Sequence, residues 1–386
     1  MPEVPGEVVA EVDGAAASQP PQTQDRPIRW RRGLLLAALA PFAFGLQRLA
    51  AAAPEWTEQY YARGLYPYIQ QSLATVSSWS PIAVGETLLL LSIATVLVRC
   101  GRGVRARWRG ERTLRNLLGH GVVQLAAVAG VLFLLFQLLW AINHARLPFA
   151  TQIDLVMKPV ETARLEATAR ALARRAAAAR PAAFPDGQPF LNPQWRESVA
   201  DAYALVGELW PVLAGPRPPI RGAGISRLLT YSSISGIYCP FTGEPNVNVE
   251  IPPVMVPFVA CHEVAHLRGY AREDEADFIA WWVGSRAADP TLAYSAHLLA
   301  YRVTMGKLWM ASMTTHMGVL RDVPAEVRKD NQTIDDFWAR QPKTVTKVAT
   351  AISQTTNDLY LKSSGHVDGV RSYGRMVDLL VAHLAP

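Results

Sequence analysis

Three long apolar runs occupy the N-terminal part of the chain, and a mixed, mostly polar sequence follows them. The runs cover residues 33–53, 82–98 and 121–142, and the last of them contains no charged residue. A helix of about 20 apolar residues crosses the hydrocarbon layer of a bilayer. The pattern therefore predicts three transmembrane helices, with the lipid bilayer as a partner. Residues 1–32, rich in Pro and Ala with no apolar period, are expected to be a disordered cytoplasmic segment.

Two of the runs leave alternatives open. In the first, Gln47 and Arg48 interrupt the apolar sequence, and the alanines at 51–53 after a basic segment also fit a cleaved signal peptide. An uncleaved helix is favoured, and the placement of later residues is the same in both cases. The run at 82–98 is of moderate length, so a buried core helix is its alternative. The aromatic, weakly charged segment 54–81 is expected to be a loop near the membrane interface.

The positive charge of the chain is concentrated in one segment. Seven arginines and one glutamate lie between residues 99 and 115, and seven minus one equals the whole formal net charge of +6. Arginine-rich loops beside transmembrane helices stay in the cytoplasm. The charge therefore predicts a basic cytoplasmic loop at 99–120 and argues against nucleic acid as a partner. Three crossings from a cytoplasmic N-terminus make 33–143 the membrane region and place residues 144–386 outside the cytoplasm.

The remaining sequence predicts a mainly helical domain, 144–386, that also contains a small sheet. Helical patterns cover 160–179 and 195–212 and dominate the last third of the sequence. Residues 246–251 alternate polar and apolar side chains, which is typical of a half-buried strand. The expected fold class is mainly α, with three N-terminal transmembrane helices followed by an α+β extracytoplasmic domain.

The sequence His262-Glu263-Val264-Ala265-His266 has the chemistry of a metal site. Histidines four residues apart lie on one face of a helix, so both imidazoles can bind one ion. In zincins, which share this HExxH pattern, the histidines bind Zn²⁺ and the glutamate acts as the general base. Pro257 fits the first turn of such a helix, and Gly269 fits the position after its end. The pattern predicts a zinc hydrolase with a zincin-like domain and Glu263 as its catalytic base.

A catalytic zinc ion takes three protein ligands, so a third must come from another element. Glu273 is preferred, because Glu273 and Asp277 lie one turn apart on the next predicted helix. This pair resembles that of gluzincin peptidases, in which the Glu binds zinc and the Asp accepts a hydrogen bond from a ligand histidine. Glu275 is the alternative third ligand. The expected cofactor is a single zinc ion.

Two further roles are assigned to residues around the motif. Zincins bind extended substrate along a strand that precedes the active-site helix, which points to Asn246 and Asn248. A Tyr, His or Arg usually stabilises the oxyanion. Tyr373 and His297 are the possible stabilisers, although packing or surface polarity is the favoured explanation for each. The other candidates are Tyr301, His366 and Arg371.

Beyond the motif, the chain resembles an uncharacterised family of bacterial membrane proteins that is defined only as a domain of unknown function. The resemblance rests on 235–244, 246–248 and 261–277, with a tail at 360–374, and extends over residues 55–385. Members of the family share N-terminal spans, a basic loop and an HExxH domain. The resemblance implies a predicted metallopeptidase of the bacterial inner membrane, with its catalytic domain outside the cytoplasm.

Two functions from different classes remain. The first is hydrolysis of a peptide or protein substrate outside the cytoplasm. The alternative is a membrane sensor or scaffold, in which zinc only stabilises the domain and a fourth ligand such as Cys261 or His297 closes the site. The sequence specifies neither the substrate nor the oligomeric state, and it leaves open whether Cys239 and Cys261 form a disulfide.

Overall fold

The computed structural model describes residues 30–342 and 375–385, and the protein is mainly helical with one small sheet. The predicted disorder at 1–32 therefore falls almost wholly outside the described residues. The helices of the N-terminal part are α1 Trp30–Ala37, α2 Leu39–Ala52, α3 Pro54–Trp56, a π-helix Thr57–Leu65, α4 Tyr66–Ser78, α5 Val84–Trp108 and α6 Leu114–Leu139.

Three helical segments are long and apolar enough to cross a membrane: Arg31–Ala52, Val84–Trp108 and Leu114–Leu139. α1 and α2 together form the first segment, and both pack on α6. Gly33 and Gly130 allow this contact, since a Cβ at Gly33 would lie 2.1 Å from an α6 side chain and one at Gly130 would lie 2.3 Å from an α1 carbonyl oxygen. Small residues of this kind let helices approach closely in bilayers. The prediction of three apolar helices is confirmed.

The connections between these helices are shorter than predicted. The basic segment 99–120 is not a loop, because α5 continues to Trp108 and α6 begins a few residues later. Thr113 caps α6 by accepting a hydrogen bond from the backbone N–H of Asn116 (3.3 Å). Arginine is a good helix former, so the helix extends beyond the apolar run that hydropathy detects. Segment 54–81, also predicted as a loop, is helical over most of its length.

The polar part of the chain folds into helices around a buried core. The predicted helices at 160–179 and 195–212 are present, although the second ends at Leu209 before a 3-10 turn. The helical segments described after α6 are a 3-10 turn Ala141–Ala145, α7 Phe149–Gln152, α8 Thr162–Ala183, α9 Trp195–Leu209, a 3-10 turn Pro211–Leu213, α10 Ser226–Tyr231, α11 Val256–Leu267, α12 Glu273–Gly284, α13 Pro290–Ala311, α14 Met313–Asp322, α15 Ala325–Ala339 and α16 Met376–Leu384.

α11 lies at the centre of this core. Every one of its residues except His262 is buried. α12 and α13 pack on it, and α8 packs along α13. Large side chains such as Trp281, Phe278 and Tyr203 fill the space around these helices. A helix surrounded in this way holds its side chains in fixed positions, as a functional site requires.

A three-stranded sheet packs on α11. β1 is Arg221–Gly222, β2 is Gly236–Cys239 and β3 is Glu244–Val247, in the order β1-β3-β2. β3 is parallel to β1 and antiparallel to β2, with Ile237 opposite Asn246. β3 is therefore the central strand, and β2 lies at an edge. The prediction of a small sheet is confirmed.

The strand predicted at 246–251 differs from the observed one in position and exposure. β3 starts at Glu244, is four residues long, and is buried throughout. Two of the polar side chains of the alternating pattern, Asn246 and Asn248, are buried and hydrogen-bonded. Asn246 donates to the Glu244 carbonyl oxygen (3.0 Å), and Asn248 donates to Thr230 Oγ1 (2.9 Å). Asn246 lies on the central strand, which has no free edge, and Asn248 lies just after it, so β3 itself offers no edge for a peptide. A role for these two residues in substrate binding stays a prediction.

Candidate metal centre

The HExxH motif lies on α11, and the sequence explains both ends of this helix. Pro257 occupies the first turn, where its missing N–H costs no helical hydrogen bond. After the other end, Gly269 adopts φ +82°, a left-handed conformation that glycine accepts readily. A Cβ here would also lie 2.9 Å from the Tyr66 ring. The turn that Gly269 allows leads to Glu273, the first residue of α12.

Three predicted ligands converge after this turn. One ligand atom each from His262, His266 and Glu273 lies within 4.8 Å of the other two. Glu273 Oε2 is 3.2 Å from His262 Nε2 and 3.7 Å from His266 Nε2. Ligand atoms at zinc-binding distance in a tetrahedral site stand about 3.4 Å apart. The separation of the carboxylate from the two imidazoles therefore fits a zinc ion.

The other nitrogen of each imidazole is engaged by a hydrogen-bond acceptor. His262 Nδ1 lies 2.7 Å from Asp277 Oδ1, and His266 Nδ1 lies 2.8 Å from the Tyr270 carbonyl oxygen. Both Nδ1 atoms are therefore placed to donate a hydrogen bond, and both Nε2 atoms face the Glu273 carboxylate. A proton on Nε2 or a metal ion would each satisfy the carboxylate that faces these two nitrogens.

The electrostatics of the cluster also favour a cation. Burial works against a protonated His262, but Asp277 and Glu273 outweigh this effect and raise the pKa of His262 well above its usual value. Burial likewise works against an ionised Glu273, but hydrogen bonds from His262 and His266 lower the pKa of this carboxyl group. The site stabilises positive charge, and a divalent ion bound to these groups would take the place of a proton.

Glu275, the alternative third ligand, faces away from this cluster. Its Oε1 accepts hydrogen bonds from the backbone N–H of Phe149 (2.9 Å) and from Arg272 Nη1 (3.1 Å). These contacts fix the beginning of α7 against α12. The helix period explains the difference, because residues 273 and 277 share one face of α12 while 275 lies on another. Glu275 therefore does not share a site with the two histidines.

Glu263 is buried beside the cluster and next to the edge strand. Its carboxylate approaches Gly236 of β2 so closely that a Cβ there would lie 2.5 Å from Oε1. Burial raises the pKa of Glu263 to about 7, and the histidines of the cluster act in the opposite direction. A carboxylate with a pKa near neutrality can both accept and return a proton. This is the property that a general base needs.

Aromatic side chains from the membrane-side helices hold the end of α11. Trp140, the residue after α6, donates from its indole N–H to the His266 carbonyl oxygen (2.9 Å), and the two rings meet edge to face at 5.7 Å. The Tyr66 hydroxyl donates to the Leu267 carbonyl oxygen (2.9 Å). Tyr238 of β2 packs on Trp140, with 5.6 Å between ring centres. Sequence analysis missed these contacts, and the one available signal was an aromatic residue near the end of an apolar run.

A buried ion pair, Arg146 with Glu58, also connects the N-terminal helices to the turn after α11. Arg146 forms two hydrogen bonds with the Glu58 carboxylate (2.9 and 3.0 Å) and another with the Gly269 carbonyl oxygen (3.2 Å). Burial would raise the pKa of Glu58, but Arg146 outweighs this effect and lowers it. The guanidinium also lies 4.2 Å from the centre of the Tyr270 ring, and the Tyr270 carbonyl holds His266. The pair, which sequence analysis also missed, ties the π-helix to the turn that positions the ligands.

Of the residues predicted to stabilise an oxyanion, the structure describes His297 and Tyr301, and neither belongs to the three-residue cluster. His297 is buried with its Nδ1 3.4 Å from the indole nitrogen of Trp281, and it lines a separate cavity of about 430 Å³. Tyr301 belongs to the hydrophobic core. Both side chains are used in packing, and their assignment as oxyanion stabilisers stays a prediction. Tyr373, His366 and Arg371 lie outside the described residues.

The two cysteines of the domain are separate from the ligands. Cys239 and Cys261 are free thiols, so they form no disulfide with each other. Neither belongs to the group of side chains that could hold a metal ion. Cys261 is fully buried, and burial raises the pKa of its thiol well above the usual value. The residue before the first histidine therefore serves packing.

Comparison with known proteins identifies a family without a known activity. No curated protein matches this chain, and no solved structure does. A family model described as "Protein of unknown function (DUF3810)" matches residues 61–381, which is most of the chain. The chain therefore belongs to this family of proteins of unknown function.

Proposed function

We propose that this protein is a membrane-anchored zinc metallopeptidase with a zincin-like domain, which hydrolyses peptide bonds. One observation carries the proposal. The Nε2 atoms of His262 and His266 converge with the Glu273 carboxylate while both Nδ1 atoms are held, by Asp277 and by the Tyr270 carbonyl. Hydrogen bonds to the Nδ1 atom fix the tautomer and orientation of zinc-binding histidines. A cluster of acids and histidines that formed by chance would not be expected to have such a hydrogen bond on both histidines.

The donor set supports zinc as the single cofactor ion. Two imidazoles and one carboxylate are the protein ligands of many catalytic zinc sites. Zinc bound there would polarise a peptide carbonyl and lower the pKa of a water molecule toward neutrality. Mg²⁺ and Ca²⁺ prefer oxygen ligands throughout, which the pair His262 and His266 does not offer.

Each residue of the site then has a defined task. Glu263, buried beside the two histidines, takes a proton from the attacking water and gives it to the leaving amine. Its burial strengthens the electrostatic interactions on which this transfer depends. Asp277 and the Tyr270 carbonyl hold His262 and His266 in the orientation that ligation requires.

The edge strand β2 supports a peptide as the substrate. Gly236 of β2 lies against Glu263, and within the described ranges β2 has no strand on its outer side. An extended chain can pair with such an edge through its backbone, whatever its side chains. β2 therefore replaces the strand of Asn246 and Asn248 as the proposed substrate strand.

The alternative function, a sensor or scaffold with a structural zinc ion, needs a fourth protein ligand. Among the residues that the structure describes, no fourth His, Cys, Asp or Glu completes the cluster. Cys261 is buried outside it, and His297 contacts Trp281 instead. Within 30–342 and 375–385, three ligands without a fourth favour hydrolysis over a purely structural role.

The helices of the N-terminal part support a location and an orientation. Four arginines lie on the second half of α5, at Arg99, Arg102, Arg105 and Arg107. By the positive-inside rule we place this end of α5 in the cytoplasm of a bacterium, the three spans in its inner membrane, and the metal centre outside. A peptide or protein outside the cytoplasm is then the substrate. Because the arginine cluster lies beside a membrane helix, it gives no reason to propose nucleic acid as a partner.

The proposal is tested with the full-length protein in liposomes and a fluorogenic peptide library. Glu263→Gln should retain zinc and cleave peptides about 10²–10⁴-fold more slowly, the usual contribution of a general base. Glu208→Gln changes an exposed glutamate of α9 in the same way and should cleave normally. Full activity in Glu263→Gln would remove the proposed base.

A further inference from the structure

We infer that the substrate is a polypeptide anchored in the same bilayer, and that it is cleaved within a few residues of its anchor. This inference rests on the metallopeptidase function proposed above and adds a class of substrate to it. Two contacts carry it, one between the metal centre and the end of α6, and one between the edge strand and the start of α5.

The first contact joins α6 to a ligand residue. α6 ends at Leu139, and the next residue, Trp140, touches both the ring and the backbone carbonyl of His266. Tryptophan at the end of an apolar helix is typical of the membrane–water interface. The His266 end of the cluster is therefore about one side chain away from the end of the apolar helix α6.

The second contact joins the edge strand to α5. One end of β2, Gly236, lies against Glu263. The other end, Cys239, lies against Gly85, where a Cβ would be 3.2 Å from the Cys239 Cβ. Gly85 is the second residue of α5. Three steps of about 3.3 Å separate the ends of β2, so a chain paired along it would travel about 10 Å from the general base to the start of a membrane helix.

Hydrogen bonds fix this arrangement. The carboxylate of Glu244, fully buried in β3, accepts from the backbone N–H groups of Val84 (2.9 Å) and Gly85 (2.7 Å). In return Glu86, in the first turn of α5, accepts from the N–H groups of Gly224 and Ile225, both at 3.0 Å. A carboxylate at the beginning of a helix accepts hydrogen bonds from the free N–H groups of that helix and interacts favourably with the helix dipole. These hydrogen bonds attach the start of α5 to the sheet that contains β2.

Exposed apolar side chains lie on β2 and on the elements next to these contacts in sequence. Ile237 on β2 and Phe241 just after it are exposed, as is Leu228 on α10, the helix that follows the residues bound by Glu86. Large apolar side chains are favourable at the membrane interface, where aromatic and aliphatic groups meet the headgroup region. They also suit a substrate segment that has just left the apolar layer.

These relations define the substrate by its geometry. A chain that leaves the bilayer beside α5 reaches Glu263 after about three or four extended residues. An anchor holds such a segment at the edge of β2 at a high effective concentration, which a soluble peptide lacks. The required chemistry of the anchor is apolar, and an acyl chain and a transmembrane helix both provide it.

The test uses the full-length protein in liposomes and fluorogenic peptides of one sequence, taken from the library that tests the proposed function. One set carries a palmitoyl chain, and a second set carries a helix of about 20 Leu and Ala residues. In each set the spacer between the anchor and the scissile bond is about 4 or about 20 residues long. The long spacer controls for enrichment of the peptide at the membrane.

We expect the short-spacer peptide to be cleaved at least about tenfold faster than the long-spacer peptide and than the unanchored peptide. A spacer effect in one set alone identifies which anchor the protein uses. Equal rates for the short spacer, the long spacer and the unanchored peptide would overturn the inference.

A second readout does not need turnover. A benzophenone amino acid replaces Ile237, which is 48% exposed, or, as the matched control, Trp309, which is 47% exposed near the end of α13. Both replacements are made in the Glu263→Gln variant. The short-spacer probe should crosslink to position 237 and not to 309, and the long-spacer probe to neither.

The two readouts separate the inference from the function on which it rests. Suppose that crosslinking at 237 depends on the spacer but the unaltered protein cleaves none of the probes. The proposed hydrolysis would then be contradicted, and the inference that the protein binds a membrane-anchored polypeptide would stand. Equal crosslinking at 237 and 309 would overturn the inference.

Discussion

Gly236 and Glu263 are in contact although they are distant in sequence, and a Cβ at position 236 would lie 2.5 Å from Oε1 of the carboxylate. Gly236 does not have a positive φ, so the contact needs its small size and not its conformational freedom. The missing side chain lets the edge strand β2 pass next to the Glu263 carboxylate, the proposed general base. A peptide paired with β2 would therefore have its backbone close to the same carboxylate.

Gly236→Ala should reduce peptide cleavage about 10–100-fold without changing the zinc content, because the added methyl group must displace the Glu263 carboxylate and the neighbouring Val259 side chain. Gly306→Ala is the matched control, since a Cβ at that position meets nothing within 4 Å. Steady-state rates and zinc content are measured for both variants. Normal cleavage by Gly236→Ala would show that this contact does not position the base.

The pKa of Glu263 predicts how stability depends on pH in chelator-treated protein. Burial raises this pKa from its usual 4.5 to about 7. The contribution of the protonated group to stability is therefore fully present below pH 4.5 and is lost as the pH rises through 7. The unaltered protein should therefore lose stability as the pH rises from 4.5 to 7. Glutamine at position 263 does not titrate, so the melting temperature of Glu263→Gln minus that of the unaltered protein should increase over this range. Thermal unfolding in detergent measures this difference, and a constant difference would contradict the raised pKa.

Asp277 holds His262 through its Nδ1 atom, and its removal should weaken zinc binding. Asp277→Ala should raise the Kd for zinc about 10–100-fold, the usual effect of losing such a contact. Asp277→Asn keeps an oxygen that accepts from Nδ1 and should recover most of the affinity. Competition with a chromogenic chelator measures both values. An unchanged Kd in Asp277→Ala would exclude this role.

Two acids at the start of α12 should behave differently when replaced by alanine. Glu273→Ala should lose zinc, because one of three ligands is gone. Glu275→Ala should keep zinc and lose about 1–3 kcal/mol of stability, since the buried N–H of Phe149 loses its acceptor. Metal analysis and denaturant unfolding distinguish the two effects. The reverse pattern would restore Glu275 as the third ligand.

The ligand cluster is predictable from the sequence because its parts are close along the chain. His262, Glu263 and His266 follow from the period of one helix, and Glu273 and Asp277 follow from the period of the next. Pattern rules of this kind state which side chains share a face. The short turn between the two helices then brings the faces together.

The surroundings of the cluster depend on contacts that no local pattern specifies. Asn246 alternates with apolar residues, yet strand order puts it in the middle of the sheet and puts Gly236 at the edge. Trp140 and His266 meet across 126 positions of sequence. The end of α5 was predicted too early for a different reason. Arginine ends an apolar run, but it is a good helix former, so the helix continues to Trp108.

The central claim is that His262, His266 and Glu273 bind one zinc ion, and it is tested most directly by zinc analysis of the purified full-length protein together with X-ray absorption at the zinc edge. We expect one equivalent of zinc, a ligand shell of nitrogen and oxygen without sulfur, and loss of the metal in His262→Ala. His316→Ala, which changes a histidine on α14 outside the cluster, should keep it. A protein that binds no zinc, or that binds it equally well as His262→Ala, would contradict the account.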